Sequence, residues 1–243
     1  MKYFFDTEFH EYKSKPLMGR SVHTIELISI GIVAENNKEY YSISKDFDIE
    51  KAWKNDWLKE NVLKSIFDEL YELYSHISYD TKLKEFGRDN RIIFCIEDFR
   101  FLINKFGKTN EIIAKEIKEF VAYNEDEDLS PADLFKPSFK FKDVEFYAYY
   151  CSYDWVVFCF LFGRMIDLPN GFPMYCRDLK QTFDEKASAG TQENNERISR
   201  GIEDNKYLYD LKSREDYPKQ DNEHNALDDA KWNLNLYKFL KTI

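Results

Sequence analysis

The sequence predicts an α/β protein. Three observations lead to this fold class: three β-rich runs follow one another near the N-terminus, apolar residues recur at helical spacing after them, and a later strand precedes a very apolar helix. The 243 residues are 43% hydrophobic, which is enough to bury a large core. We therefore expect one elaborated domain over residues 1–243.

The first predicted strand, at residues 3–9, carries two acids on one face. Side chains alternate along a strand, so Asp6 and Glu8 point to the same side. Burying two neighbouring carboxylates is costly unless a cation compensates, and carboxylate oxygens suit Mg²⁺ or Mn²⁺. Asp6 and Glu8 are thus predicted to form half of a metal site. The alternative is an edge strand with solvated acids.

Two more strands should complete a three-stranded meander. Residues 11–23 are polar and contain Pro16 and Gly19, which predicts a loop. Residues 24–34 are β-branched and nearly continuous, a pattern typical of a central strand, and residues 39–44 alternate as a third strand.

The middle of the chain is predicted to be helical. Apolar residues recur at helical spacing from 49 to 77, which predicts one or two helices, and residues 96–106 and 111–123 predict two more. The first of these stretches includes Trp57, Val62, Ile66, Leu70 and Leu73. Residues 135–142 interleave Lys with Phe. This composition fits either single-stranded nucleic acid binding or a loop that packs its Phe side chains into the core.

A fourth strand at residues 144–150 leads into an apolar helix. Ser152 can cap that helix, and Gly163 ends it. Asp154 falls in the first turn, where it either interacts with the helix dipole or supplies a third metal carboxylate. Residues 175–183 predict a short strand running into another helix.

The last predicted helix covers residues 225–240. Asn225 and Asp228 have the spacing of an N-cap and its reciprocal partner. That pairing explains Asp228 but leaves Asp229 without a structural role. His224 immediately precedes the cap and can swing toward whatever Asp229 faces.

Together, these acids and the histidine suggest phosphodiester hydrolysis. Carboxylates from Asp6, Glu8, Asp154 and Asp229 could hold two divalent ions roughly 3.5–4 Å apart, which would clamp a phosphodiester and activate a water. A histidine has an ordinary pKa of about 6.5, so His224 could take the proton of that water at neutral pH.

The same residues resemble the three exonuclease motifs of the DEDDh superfamily: Asp-Thr-Glu on the first strand, Tyr-x-x-Tyr-Asp before an apolar helix, and His-x-x-x-x-Asp at the final helix. The chain is most similar to the compact bacterial 3'-to-5' exoribonucleases described as polyadenylate-specific. The similarity covers about half the chain and is carried by residues 4–9, 24–31, 39–41 and 224–230.

The resemblance implies an RNase H-like fold, with a mixed sheet flanked by helices, and two Mg²⁺ or Mn²⁺ ions. It implies that Asp6, Glu8, Asp154 and Asp229 are metal ligands and that His224 is the general base. The product would be a 5'-mononucleotide removed from a 3' end. By the same resemblance, Thr7 and Phe9 would lie near the terminal nucleotide, with core packing as the alternative for each.

The chain departs from the compact relatives in three expanded segments. These are the loop at 11–23 and the insertions at about 76–145 and 184–223. They border the expected substrate path, so the resemblance does not determine whether the substrate is RNA or DNA, or whether adenosine is preferred. A 3'-to-5' DNA exonuclease with a proofreading or repair role, and a non-catalytic nucleic-acid-binding module, remain alternatives to a single-stranded RNA exonuclease.

Composition narrows the protein class. The net charge of −10 disfavours a broad basic coat for nucleic acid, and the four cysteines form no CxxC pair. No signal segment or apolar run of about 20 residues is present, so we expect a soluble, cytoplasmic protein without a membrane partner. The sequence is compatible with a homodimer and does not determine the oligomeric state. No GxGxxG, GxxxxGK[ST] or GxSxG motif occurs, which disfavours dinucleotide, P-loop and serine-hydrolase chemistry.

Overall fold

A computed structural model describes residues 1–14, 19–77, 82, 92–125, 129–134, 136, 139–188 and 211–243. Its centre is a five-stranded sheet. The strands are β1 (Lys2–Ser14), β2 (Val22–Ala34), β3 (Glu39–Ile43), β4 (Glu145–Ala148) and β5 (Arg177–Asp178). Their order is β3-β2-β1-β4-β5, with the first three antiparallel and β4 and β5 parallel to β1. This mixed sheet with flanking helices confirms the predicted α/β, RNase H-like fold class.

Helices cover both faces of the sheet. They are α1 (Ile49–Trp53), α2 (Asp56–Leu58), α3 (Lys64–Ser75), α4 (Ile96–Phe106), α5 (Asn110–Glu125), α6 (Pro131–Leu134), α7 (Ser152–Phe162), α8 (179–188) and α9 (Ala226–Leu240). A π-helical turn, Lys59–Leu63, joins α2 to α3. No helix in the described part of the chain is long and apolar enough to cross a membrane.

The pleat of β1 divides the core between the two faces of the sheet. Tyr3 and Phe5 pack with α5 and α7 on one face, while Phe4 packs with α9 on the other. The helices from α1 to α4 form a third cluster around Ile28 and Ile43 at the β3 side. By this alternation Asp6 and Glu8 fall on the face that carries α9.

The predicted loop at residues 11–23 is wrong. In the described residues, β1 continues to Ser14 and β2 begins at Val22, so the two strands pair antiparallel as a long hairpin arm. The tip, including Pro16, lies outside the described residues. The polar composition misled the prediction because cross-strand pairing, such as the 2.5 Å hydrogen bond from Tyr12 Oη to Glu26, is not visible in local sequence.

Other sequence predictions need smaller corrections. Within the predicted helical stripe, Trp57 and Leu73 are 55% and 50% exposed, whereas Val62, Ile66 and Leu70 are buried. The predicted stripe passes through the π-helical turn Lys59–Leu63, which shifts the helical phase between α2 and α3. The predicted cap at Ser152 is also wrong: Ser152 is the first residue of α7, and no side chain caps it.

The Lys and Phe segment follows the packing alternative where it is described. Phe141 is buried and packs against Phe172, with ring centroids 4.8 Å apart, and Phe139 packs on Phe141. Phe141 is therefore part of the core, and Phe139 is partly buried against it. Of the insertion at 184–223, residues 189–210 lie outside the described residues.

Candidate metal centre

Three of the predicted acids meet on the α9 face of the sheet. Asp6 and Glu8 on β1 and Asp229 on α9 each offer a carboxylate oxygen, and these oxygens all lie within 4.8 Å of one another. Glu8 and Asp229 are buried, and Asp6 is partly buried. Residues more than 220 positions apart in the chain therefore form one acidic cluster.

The first turn of α9 reaches the sheet because Gly31 on β2 has no side chain. A Cβ atom at Gly31 would lie 2.3 Å from the carbonyl oxygen of Ala226, well inside van der Waals contact. Deeper in the helix, the buried Asn233 donates a 3.0 Å hydrogen bond from Nδ2 to the carbonyl oxygen of Phe5. These two contacts hold α9 against β1 and β2 and thereby place Asp229 beside Asp6.

Asp154 reaches the cluster from the opposite side of the strand. Strand β4 pairs with β1 only as far as Phe4, so the edge of β1 beyond it is open to the first turn of α7. There, Oδ1 of Asp154 accepts a 2.6 Å hydrogen bond from the Thr7 hydroxyl and a 3.1 Å bond from the Thr7 backbone N–H. Oδ1 of Asp154 thus accepts the hydrogen bond from a β1 backbone N–H that has no partner on β4. Oδ2 accepts no hydrogen bond from any other described residue.

The carboxylate of Asp229 is held by two donors from the segment before α9. Gln220 Nε2 donates a 2.7 Å bond to Oδ1, and the backbone N–H of His224 donates a 3.0 Å bond to Oδ2. Asn225 caps the helix as predicted, with its side chain accepting from the backbone N–H of Asp228. The reciprocal half of that predicted pairing is wrong, because the Asp228 carboxylate accepts from Asn222 instead.

The three acids of the cluster and the neighbouring Asp154 repel one another when all four are ionised. Burial, followed by the charges of Asp154, Glu8 and Asp229, raises the pKa of Asp6 well above its ordinary value. Burial and the charges of Asp229 and Asp154 raise the pKa of Glu8 to about 8. Burial also raises the pKa of Asp154 to about 6, against the opposing hydrogen bonds from Thr7, and raises the pKa of Asp229.

This donor set fits divalent metal ions. Among the described residues, no Lys or Arg forms an ion pair with Asp6, Glu8, Asp154 or Asp229. Buried carboxylates without a cation are costly, and hard oxygen ligands in this number suit Mg²⁺ or Mn²⁺. The three clustered oxygens provide one site, and Asp154 beside Asp6 extends the acidic surface toward a second.

His224 lies next to Asp229 of the cluster in a left-handed backbone conformation, with φ of 70°. Its backbone is fixed by the hydrogen bond to Asp229, and its ring contacts the indole of Trp57, with centroids 4.9 Å apart and planes at 78°. The structure therefore brings all five predicted catalytic residues to one region, with His224 adjacent to Asp229.

The two predicted substrate contacts lie beside this region. Thr7 is buried, and its hydroxyl is committed to Asp154. Phe9 is partly buried and stacks on the exposed Tyr153, with centroids 6.0 Å apart. A role for either residue in contacting substrate stays a prediction.

Three residues that shape the site were missed from the sequence. Gln220 is one polar residue in a long polar span, and its contact with Asp229 depends on how that span folds back. Trp57 looked like a core position of a helix. Gly31 is a glycine in an apolar strand, a pattern that indicates close approach of another backbone, and it is the one of the three that has a local signal in the sequence.

Comparison with known proteins gives a distant relationship. A scan against known protein-family models finds no match. Two proteins named 3'-5' exoribonuclease, from the Mycobacterium tuberculosis strains CDC 1551 / Oshkosh and ATCC 25618 / H37Rv, are each 27% identical to the chain over 186 residues. Each match covers 76% of this chain and 76% of the relative.

Proposed function

We propose that this protein is a metal-dependent 3'-to-5' exoribonuclease that releases 5'-mononucleotides from the 3' end of single-stranded RNA. The observation that carries the proposal is the cluster of the partly buried Asp6 with the buried Glu8 and Asp229, which has no compensating cation among the described residues. The distant similarity to two proteins named exoribonucleases supports the choice of RNA as substrate.

We further propose that residues 1–243 form one exonuclease domain of the DEDDh type, nearest to the bacterial polyadenylate-specific enzymes. The order of the motifs along the chain supports this assignment, and so does their meeting in space. Asp6, Glu8, Asp154 and Asp229 would hold two Mg²⁺ or Mn²⁺ ions. When bound, such ions neutralise the carboxylates, polarise the scissile phosphate and lower the pKa of an attacking water.

The chain's own residues would orient the metal-binding carboxylates and deprotonate the attacking water. Thr7 holds Oδ1 of Asp154 through two hydrogen bonds, which leaves Oδ2 for a metal ion. Gln220 and the His224 backbone orient the carboxylate of Asp229 in the same way. The His224 imidazole would accept the proton of the attacking water, because it lies next to Asp229 and forms no hydrogen bond with a described residue.

The test uses RNA and DNA oligomers of one sequence, labelled at the 5' end, with Mn²⁺, Mg²⁺ or EDTA. We expect a ladder that shortens from the 3' end on RNA with either metal and no product in EDTA. Asp154→Asn should abolish the ladder without loss of fold by circular dichroism. Asp184→Asn is the matched control. It removes a surface acid that pairs with Lys180, outside the acidic cluster, and the variant should remain active.

Absence of turnover by the wild type on either polymer would contradict the proposal, because the acids would then have no hydrolytic role. Faster degradation of DNA than of RNA would favour the DNA exonuclease alternative. Binding of RNA without cleavage would favour the non-catalytic module.

A further inference from the structure

We propose that Trp57 is a positioning residue for His224. The proposal rests on the proposed function, in which His224 is the general base. Trp57 lies on α2, far from His224 in the chain, and its indole is in ring contact with the imidazole, with centroids 4.9 Å apart and planes at 78°. This edge-to-face arrangement restricts rotation of the imidazole, because both rings would lose contact if either turned.

The His224 ring nitrogens are not held by a hydrogen bond among the described residues. Its backbone N–H is bonded to Asp229, but neither ring nitrogen forms a hydrogen bond or ion pair with a described residue. A catalytic histidine is commonly oriented by a third group that accepts a hydrogen bond from its second nitrogen. Here, the imidazole contacts an aromatic ring instead.

Trp57 is itself poorly explained as a core residue. Its side chain is 55% exposed, although a large apolar side chain gains most free energy from burial. The neighbouring Leu58 is buried and anchors the same helical turn. The indole therefore lies outside the core of the helical block, against the His224 imidazole.

The backbone around Trp57 is held by specific contacts. Asn55 caps α2, with its side chain accepting a 3.1 Å bond from the N–H of Leu58. Asn61 donates a 2.7 Å bond from its side chain to the carbonyl oxygen of Trp57. Asn61 belongs to the π-turn Lys59–Leu63, a type of irregularity that is frequent at functional sites. A turn held by these hydrogen bonds thus presents an exposed indole to the imidazole.

A double-mutant cycle with Trp57→Ala and His224→Ala, measured as kcat and KM on 5'-labelled single-stranded RNA with Mn²⁺, tests the proposal. Loss of a general base costs about 100-fold or more in rate, and loss of its orientation should cost less. We expect Trp57→Ala to lower kcat by about tenfold with KM nearly unchanged, and to have no further effect in the His224→Ala background. Trp57→Phe should restore most of the rate, since it retains a ring.

Tyr71→Ala is the matched control, because Tyr71 is an exposed aromatic on α3 that stacks on Phe67 and not on His224. Its kcat should equal that of the wild type. A second readout needs no activity: the fluorescence of Trp57, isolated as the difference between wild type and Trp57→Phe, should change when His224 becomes Ala.

Four outcomes would overturn the proposal. A rise in KM that persists in the His224→Ala background would show that Trp57 contacts the RNA instead. Unchanged Trp57 fluorescence in His224→Ala would show that the rings do not touch in solution. If the wild type degrades no RNA, the proposed function fails first and the positioning role fails with it, whereas an active wild type with an additive cycle contradicts the positioning role alone.

Discussion

Asp154 illustrates how a single side chain is prepared for a ligand. Two donors from Thr7 converge on its Oδ1, and hydrogen bonds to a carboxylate favour the ionised form that a metal ion requires. Burial works in the opposite direction and raises the pKa of Asp154 to about 6. The Thr7 hydroxyl therefore partly offsets the cost of burying this charge.

Thr7→Val removes the hydroxyl and keeps the size of the side chain. We expect weaker Mn²⁺ binding by about tenfold, since partners that orient a metal ligand commonly contribute 10–100-fold to affinity. The pKa of Asp154 should rise further. Calorimetric titration with Mn²⁺ measures the affinity, and Thr7→Ser, which retains the hydroxyl, should bind nearly as the wild type does. Equal affinity for Thr7→Val and wild type would show that the backbone N–H of Thr7 suffices.

At the scale of elements, the site depends on how α9 packs against the sheet. The helix brings Asp229 to β1 because its first turn packs directly against the backbone of Gly31. A side chain at position 31 would leave no room for this approach. The same approach places His224 and its backbone hydrogen bond to Asp229. The fit between one strand and one helix thus controls the geometry of the cluster.

Gly31→Ala should destabilise the protein and impair the site together. The new methyl group would lie 2.3 Å from the Ala226 carbonyl oxygen, so α9 must move. Overpacking of this kind costs about 1–3 kcal/mol. Urea unfolding measures the loss, and an RNA assay on the folded fraction should show reduced kcat. Wild-type stability and wild-type rate together would show that α9 does not pack this closely on β2.

The sequence was informative where a local pattern determines the element. Alternation predicted that Asp6 and Glu8 share a face, and the capping pattern at Asn225 located the start of α9 and so separated Asp229 from Asp228. Contacts between segments that are distant in the chain have no such local sequence pattern. The hairpin arm beyond residue 10 and the contact between Trp57 and His224 arise from segments that meet only in the folded chain, so neither could be derived from periodicity.

At the scale of the whole molecule, the acidic cluster links folding to pH and metal. Ordinary Asp and Glu carboxyls ionise near pH 4 in an unfolded chain, whereas burial and neighbouring charge raise the pKa of Glu8 to about 8 in the fold. The folded state therefore holds more protons between these values. Because folding then takes up protons, this contribution to stability is greatest below pH 4 and is lost as the pH rises toward 8.

The central claim, that these acids form a metal centre, is tested most directly by thermal unfolding in EDTA and in Mn²⁺ at pH 5.5 and pH 8. Divalent ions bind the ionised carboxylates and stabilise the fold by mass action. The increase in Tm on adding Mn²⁺ should therefore be larger at pH 8 than at pH 5.5, and Asp6→Asn should reduce it. An equal Tm in EDTA and Mn²⁺ at pH 8, with the wild type folded, would contradict the claim.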